Sequence, residues 1–134
     1  MDSYATMSKP VIKVAALCGS LRKASFNRGL IRAAIEVSKK QITGLHVEFI
    51  DTSSLPMLNT DLEENGRFPA EVEEFRQKIL ESDCCFFASP DYNYSVTPLL
   101  KNALRVGRKG SRSCIGMRRR RKSAVPSPAN RSVP

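Results

Sequence analysis

Two short apolar runs, each followed by a polar loop and then by a helical pattern, constrain the fold of this chain more than any other feature. The first run, Val11 to Cys18, is apolar except for Lys13, and the second, Cys84 to Ser89, contains no charged residue. Near-continuous apolar runs of this length are typical of strands that are buried on both faces of a parallel sheet. Both runs are therefore predicted to be buried strands.

The apolar pattern changes its period between and after these runs. Residues 27–40, 70–82 and 99–106 have the three-to-four-residue spacing of helices, whereas His46 to Asp51 alternates as a strand does. Gly44 stands where a glycine commonly follows the end of a helix. The predicted order βαβαβα indicates an α/β fold in which right-handed crossover helices join parallel strands.

Charge is divided unevenly along the chain. Residues 1–104 hold 12 basic and 13 acidic residues, a net charge of −1, and residues 105–134 hold 10 basic residues and no acid, which together give the total of +9. The basic character therefore belongs to the tail alone. We predict a disordered leader at residues 1–9, a partial folded domain at 10–106 and a disordered basic tail at 107–134.

Cysteine spacing and hydropathy argue against a membrane-spanning protein, a protein with a signal peptide, and a zinc-ribbon or thioredoxin-like site. No apolar run approaches the roughly 18 residues of a membrane span, and the N-terminus lacks the layout of a signal peptide. No cysteines stand in the C-x-x-C spacing of zinc ribbons and thioredoxin-like motifs, so no metal site is predicted. We interpret Cys18, Cys84 and Cys85 as small buried hydrophobes and His46 as structural, and we expect a cytoplasmic location.

The loop that follows the first strand, residues 19–27, contains the donors that a phosphate group needs. Ser20 and Ser25 offer hydroxyls, Arg22 offers a charged guanidinium, and Asn27 can cap the next helix or contact a ligand. The pattern is neither the Walker A motif nor G-x-G-x-x-G. Because serine and asparagine are also common helix caps, a purely structural role stays open at this point.

The loop that follows the third strand combines flat aromatic and amide groups. After Pro90, Tyr92 and Tyr94 alternate with Asn93 and Ser95. Amides and hydroxyls can bond to the edge of a heterocycle while an aromatic ring packs nearby. The two loops together predict a phosphorylated aromatic cofactor, and the alternative is a rigid turn whose tyrosines fill a domain interface.

The motifs G-S-L-R-K-x-S-x-N and P-x-Y-N-Y-S, followed by T-P-x-L-K-N-A, resemble those of the NADPH-dependent FMN reductase family. The likeness covers residues 11–104 and is greatest to the plant NADPH:quinone oxidoreductases of that family. It implies a flavodoxin-like fold, which is a three-layer α/β arrangement with parallel strand order 2-1-3-4-5. It also implies FMN as cofactor, NADPH or NADH as hydride donor, a quinone or similar small molecule as electron acceptor, and a homotetramer.

The resemblance further implies roles for individual residues. Ser20, Arg22, Ser25 and Asn27 would hold the FMN phosphate, and Phe26 is included among the cofactor-binding residues. The residues implied to line the isoalloxazine ring are Pro90, Tyr92, Asn93, Tyr94 and Ser95. No side chain is assigned as catalytic, because the flavin carries the two-electron chemistry.

Two departures from the family pattern limit this resemblance. Asp91 replaces the usual glutamate, which shortens any contact that this carboxylate makes with a neighbouring loop or subunit. After Leu104 the family continues with further strands and a glycine-rich flavin loop, whereas a basic sequence begins here at Arg105. We therefore expect a sheet truncated after its third strand and the helix that follows, with an open apolar edge. FMN binding is not expected to saturate in the micromolar range, and the family's activity is not expected to be retained in full.

The alternative function is non-catalytic, with the truncated chain acting as a partner of full-length subunits or as a basic-tailed binding protein. Arg118 to Lys122 is a run of five basic residues, a pattern typical of nuclear-localisation and nucleic-acid-binding segments. The run lacks interleaved aromatic residues, so a nucleic-acid partner is not expected. We interpret residues 105–134 as sequence read from an intron or a shifted frame, and the chain as a truncated isoform or a mispredicted gene product.

Overall fold

The computed structural model describes residues 10–108, so the predicted leader and the tail from residue 109 onward lie outside the described residues. All six predicted helices and strands are confirmed, with bounds within two residues of those expected, and a short hairpin that was not predicted is added. The elements in chain order are β1 (Ile12–Cys18), α1 (Phe26–Gln41), β2 (Leu45–Phe49), a 3₁₀ turn (Thr60–Leu62), α2 (Ala70–Leu80), β3 (Cys84–Ala88), β4 (Asp91–Tyr92), β5 (Ser95–Val96) and α3 (Pro98–Arg108).

The central sheet is parallel and has the order β2-β1-β3. In its register, Ala16 of β1 lies between Phe49 of β2 and Phe86 of β3. The described residues thus form three strands of the flavodoxin-like order, and the predicted α/β fold is confirmed. Because β3 pairs only with β1 in this part of the chain, its outer edge is open, as expected.

The core lies on both faces of β1, because alternate side chains of a strand point to opposite sides of a sheet. The buried residues on the α1 side are Ala16, Cys18, Ile31, Val47 and Ala88, and those on the side of α2 and α3 are Ala15, Leu17, Ile50, Phe75, Ile79 and Ala103. β1 is therefore the strand around which the helices are arranged.

β3 is more exposed than its apolar sequence predicted. Phe86 and Phe87 are 38% and 41% exposed, and Cys84 is exposed as well. The prediction that this strand is buried on both faces is wrong for β3, because it pairs on one side only. The interpretation of Cys84 as a buried hydrophobe is wrong for the same reason. Cys85 is half-buried, and Cys18 is buried as expected.

α3 continues through Arg108, two residues beyond residue 106, where the folded segment was predicted to end. The buried Arg76 of α2 supports this last part of the helix, since its Nε donates to the backbone oxygen of Val106 at 3.0 Å. The same guanidinium lies 4.6 Å from the ring centre of Phe68 and donates to Glu73 at 2.9 Å. The observed helix end differs from the expected one by two residues, which is within the usual variation of helix ends.

Candidate functional site

The two predicted loops meet at the carboxyl ends of β1 and β3. The backbone N–H of Gly19 donates to the oxygen of Ala88 at 2.9 Å, and the hydroxyl of Thr97 donates to the oxygen of Gly19 at 2.7 Å. From β1 the chain continues to one side of the sheet, to β2, and later returns to the other side, to β3. Ligands of open α/β sheets bind at such a point of reversal.

Gly19 is the residue that lets the two loops touch. A Cβ atom at this position would lie 2.0 Å from Oγ and 2.6 Å from Cβ of Ser89. The backbone of Gly19 is not left-handed, unlike that of Gly44 and Gly66. Close approach of the second loop therefore requires glycine here.

Ser20 and Ser25 are buried and shape the first loop. The hydroxyl oxygen of Ser20 accepts a hydrogen bond from the N–H of Arg22 at 3.2 Å. The hydroxyl oxygen of Ser25 accepts one from the N–H of Asn27 at 3.2 Å, and Ser25 is the N-cap of α1. The capping role that the sequence left open is thus present. Each serine still has its own O–H group for a ligand, since neither donates a bond within residues 10–108.

The N-terminus of α1 is electropositive. Its first turn contains no acidic residue, and the N–H groups of Phe26 and Arg28 have no acceptor inside the helix. The exposed Arg22 makes no ion pair with any residue that the structure describes. Hydroxyls, backbone N–H groups and a guanidinium at a helix N-terminus form a donor set that suits a phosphate monoester. The residues present therefore fit a phosphorylated ligand.

Arg28 lies next to this loop, although sequence analysis did not single it out. Its guanidinium carbon is 5.8 Å from the ring centre of Phe49, and its buried Nε has no hydrogen-bond partner among residues 10–108. It also faces Asp51, whose pKa is lowered chiefly by the N–H of Ser53 at 3.0 Å. The Ser53 hydroxyl and the Arg28 charge lower this pKa further, while partial burial opposes them. The sequence did contain a signal for this residue, because Arg28 stands in the first turn of the helix that follows the predicted phosphate loop.

The second loop forms a tight hairpin of the short strands β4 and β5. Tyr92 of β4 lies opposite Ser95 of β5, and Asn93 and Tyr94 form the turn with φ angles of 53° and 59°. Asparagine is common in this left-handed conformation, whereas an aromatic residue is unusual there. The Tyr94 ring is fully exposed and Tyr92 is about half exposed, while Pro90 is half-buried behind them. Within the described residues the tyrosines do not fill an interface.

Two buried polar residues hold this region from inside, and sequence analysis gave neither a role. Besides its bond across the loops, Thr97 accepts a hydrogen bond from the N–H of Leu100 at 3.2 Å at the start of α3. Asn102 donates to the oxygen of Pro56 at 3.0 Å and accepts from the N–H of Leu58 at 2.9 Å. Both belong to the motif T-P-x-L-K-N-A, which was the signal available for them.

The structure thus places all ten predicted cofactor-binding residues in two loops at one end of the sheet. Phe26 differs from the others in that its side chain is 89% exposed at the first position of α1. His46 lies in β2 beside Lys13, outside both loops. The described part of the chain contains no cluster of three or more His, Cys, Asp or Glu residues that could bind a metal ion, and no helix that could span a membrane.

Comparison with known proteins gives concordant matches. The family model of the NADPH-dependent FMN reductases matches residues 12–118, which extends past residue 104, where the resemblance was expected to end. An NAD(P)H:quinone oxidoreductase of Solanum tuberosum is 63% identical over 97 residues, which cover 72% of this chain and 50% of that protein. An NADPH:quinone oxidoreductase of Arabidopsis thaliana is 62% identical over 99 residues, covering 74% of this chain and 50% of the relative.

A solved structure agrees with these sequence matches. FerB, a flavoenzyme NAD(P)H:(acceptor) oxidoreductase from Paracoccus denitrificans, superposes with a TM-score of 0.63 at 30% identity, covering 72% of this chain and 50% of that one. The chain therefore spans about half the length of the curated relatives that it matches.

Proposed function

The chain belongs to the NADPH-dependent FMN reductase family, and from this membership we propose that its two loops form the FMN-binding part of an NAD(P)H:quinone oxidoreductase. The observation that supports the proposal best is the direct contact of the loops at Gly19 and Ser89. This contact brings a phosphate-type donor set next to an exposed aromatic hairpin. A ligand that carries both a phosphate and a flat ring can therefore occupy both loops together.

The proposal assigns separate tasks to the two loops. Ser20, Arg22, Ser25 and Asn27 would hold the phosphate at the N-terminus of α1, together with the N–H of Phe26. The residues that would flank the ring are Pro90, Tyr92, Asn93, Tyr94 and Ser95. Thr97 keeps the loops in register, because its hydroxyl bridges Gly19 and the start of α3.

FMN, when bound, supplies a flavin that takes a hydride from NADPH or NADH and reduces a quinone by two electrons. The protein's own contribution is to bind and orient that group, and we assign no proton transfer to any of its side chains. A quinone or similar small molecule is the proposed acceptor, on the names of the relatives. Homotetrameric assembly, which rests on the family resemblance, and the cytoplasmic location expected from the sequence are further parts of the proposal.

Titration of the purified full-length chain with FMN tests the proposal through the quenching of flavin fluorescence. We expect weak binding that saturates only above the micromolar range, and Arg22→Ala should weaken it by about tenfold or more, since a charge-assisted hydrogen bond contributes roughly 1.5–3 kcal/mol. Lys39→Ala in the last turn of α1 is a matched control, because it removes one positive charge far from the loops. Binding that does not saturate, or that Arg22→Ala and Lys39→Ala weaken equally, contradicts the proposal.

Activity is measured separately from binding. NADPH-dependent reduction of a soluble benzoquinone is followed at saturating FMN, with chain-free FMN as the blank. We expect slow turnover above the blank that falls in Arg22→Ala in proportion to flavin occupancy. FMN binding without turnover would show that these loops bind the cofactor but do not suffice for quinone reduction.

A further inference from the structure

A cavity of about 340 Å³ lies against the β4–β5 hairpin. The residues that line it are Ser89, Pro90, Asp91, Tyr94, Ser95 and Val96. Three of them, Pro90, Tyr94 and Ser95, are among the residues proposed to flank the flavin ring. A small molecule that approaches the ring from this side therefore passes through the cavity.

Of these lining residues, only Asp91 carries a charge. No other residue from Cys84 to Thr97 is charged. Asp91 is exposed at the start of β4, where it lies opposite Val96 of β5. It makes no ion pair with any residue in the described range 10–108. Its negative charge therefore acts on the cavity without a counter-charge from this part of the chain.

The two loops of the candidate site carry charges of opposite sign. Residues 19–27 contain Arg22 and Lys23 and no acid, and the N-terminus of α1 adds its own positive partial charge. Residues 91–96 of the hairpin contain one carboxylate and no basic residue. An anionic group is thus attracted to the first loop and repelled at the hairpin, whereas a neutral ring is not repelled at either.

We propose that Asp91 makes the hairpin cavity select the electron acceptor by charge, so that neutral quinones enter and anionic acceptors are disfavoured. This inference rests on the proposed function, because it concerns the acceptor of the same site. A cleft lined by one sign of charge changes the local concentration of charged small molecules, and the apolar Val96 opposite the carboxylate strengthens that field. For a monovalent anion at low ionic strength, one exposed carboxylate changes this concentration by a factor of about 1.5–2.

Collisional quenching of tyrosine fluorescence in the full-length chain measures this field without any flavin. The chain has three tyrosines and no tryptophan, so in a Tyr4→Phe background all of the emission comes from Tyr92 and Tyr94 of the hairpin. Iodide, an anion, and acrylamide, a neutral quencher, are compared at a constant ionic strength of about 50 mM. Asp91→Asn should raise the ratio of the iodide to the acrylamide Stern–Volmer constant by about 1.5- to 2-fold.

Two further variants make the comparison specific to this carboxylate. Asp91→Glu retains the negative charge and should keep the ratio of the parent chain. Glu81→Gln removes a carboxylate between α2 and β3, at the opposite end of β3 from the hairpin, and should leave the ratio unchanged. An equal ratio in the parent chain and in Asp91→Asn would overturn the proposal, because the carboxylate would then have no influence on anions at the hairpin.

Turnover of the full-length chain at saturating FMN extends the test to the acceptor. A naphthoquinone and its ring-sulfonated derivative have the same ring system and differ by one negative charge. We expect Asp91→Asn to raise the ratio of kcat/KM for the sulfonate to kcat/KM for the neutral quinone by about 1.5- to 2-fold, and Glu81→Gln to leave it unchanged. Turnover with the same ratio in all variants would overturn this inference and leave the proposed function intact, whereas no turnover in any variant would overturn both.

Discussion

β1 and β3 have similar apolar sequences but very different surroundings. β1 lies between two strands and between two helical layers, and Leu17 in it is fully buried. β3 pairs on one side only, and Phe87, which is level with Leu17, is 41% exposed. An apolar run thus predicts a strand, but whether that strand is buried depends on the strands and helices that pack against it.

The largest expected difference in stability is between alanine substitutions at Leu17 of β1 and Phe87 of β3, which lie side by side in the sheet. Leu17→Ala removes a fully buried side chain from the core and should lower the free energy of unfolding by about 2–5 kcal/mol. Phe87→Ala removes a partly exposed ring and should cost about 1–2 kcal/mol. Urea denaturation of both variants at the same low protein concentration measures the difference. Equal losses would mean that β3 is covered in solution as completely as β1.

The next effect concerns the loops that follow the two strands. Gly19→Ala brings a Cβ to 2.0 Å from the Ser89 hydroxyl oxygen, so the loops must separate, at a cost of about 1–3 kcal/mol in stability. Ser89→Gly in the same chain removes the two closest atoms and should recover part of the loss. A double-mutant cycle by urea denaturation measures this coupling. If the two substitutions are additive, the loops are not in contact.

A smaller effect is expected from the hydroxyl that links the ends of β1 and α3. Thr97→Val keeps the shape of the side chain but leaves the Gly19 oxygen and the Leu100 N–H without their partner, which should destabilise the fold by about 1–2 kcal/mol. Thr60→Val makes the same chemical change at an exposed position and should be nearly neutral. Thermal unfolding of the two variants distinguishes them. A matching shift for both would show that the Thr97 bridge contributes little.

The smallest expected effect is on the pH dependence of stability, and it comes from Asp51, which follows β2, the other edge strand of the sheet. The pKa of Asp51 after β2 is lowered from 3.8 by the N–H of Ser53 above all. A carboxyl with a lowered pKa in the folded state stabilises the fold above its ordinary pKa, and this contribution is lost as the pH falls through the lowered value. Because Asp51 is exposed, the contribution is a few tenths of a kcal/mol at most. Asp51→Asn should therefore unfold with slightly less acid sensitivity below about pH 4.

Local patterns were sufficient to predict the helices and strands, but not the contacts made over long distances in the chain. The helix at residues 70–82 follows from its apolar spacing, and the structure confirms it with an end two residues earlier. The roles of Thr97 and Asn102 depend on partners 78 and 46 residues away, at Gly19 and Pro56, and no local pattern shows them. The β4–β5 hairpin was missed because its turn is Asn-Tyr instead of the usual Asn-Gly.

The candidate site was predicted as two separate loops, and the structure shows why they lie together. Each loop follows a strand, and parallel strands end at the same edge of their sheet. What the sequence did not indicate is the close approach of Gly19 to Ser89, or the packing of the Arg28 guanidinium against the Phe49 ring. The assignment of the loop residues to a flavin stays a prediction until binding is measured.

If Tyr94 flanks the flavin as proposed, its left-handed backbone implies that stability and ligand binding favour different residues at this position. A bulky side chain in this conformation costs about 1–2 kcal/mol, and glycine would relieve that strain while deleting the exposed ring. In a library randomised at residue 94, a screen for protease resistance should enrich glycine, and a screen for flavin retention should enrich tyrosine. Enrichment of different residues by the two screens would show that the tyrosine at the tip of the hairpin is kept for ligand binding at a cost in stability.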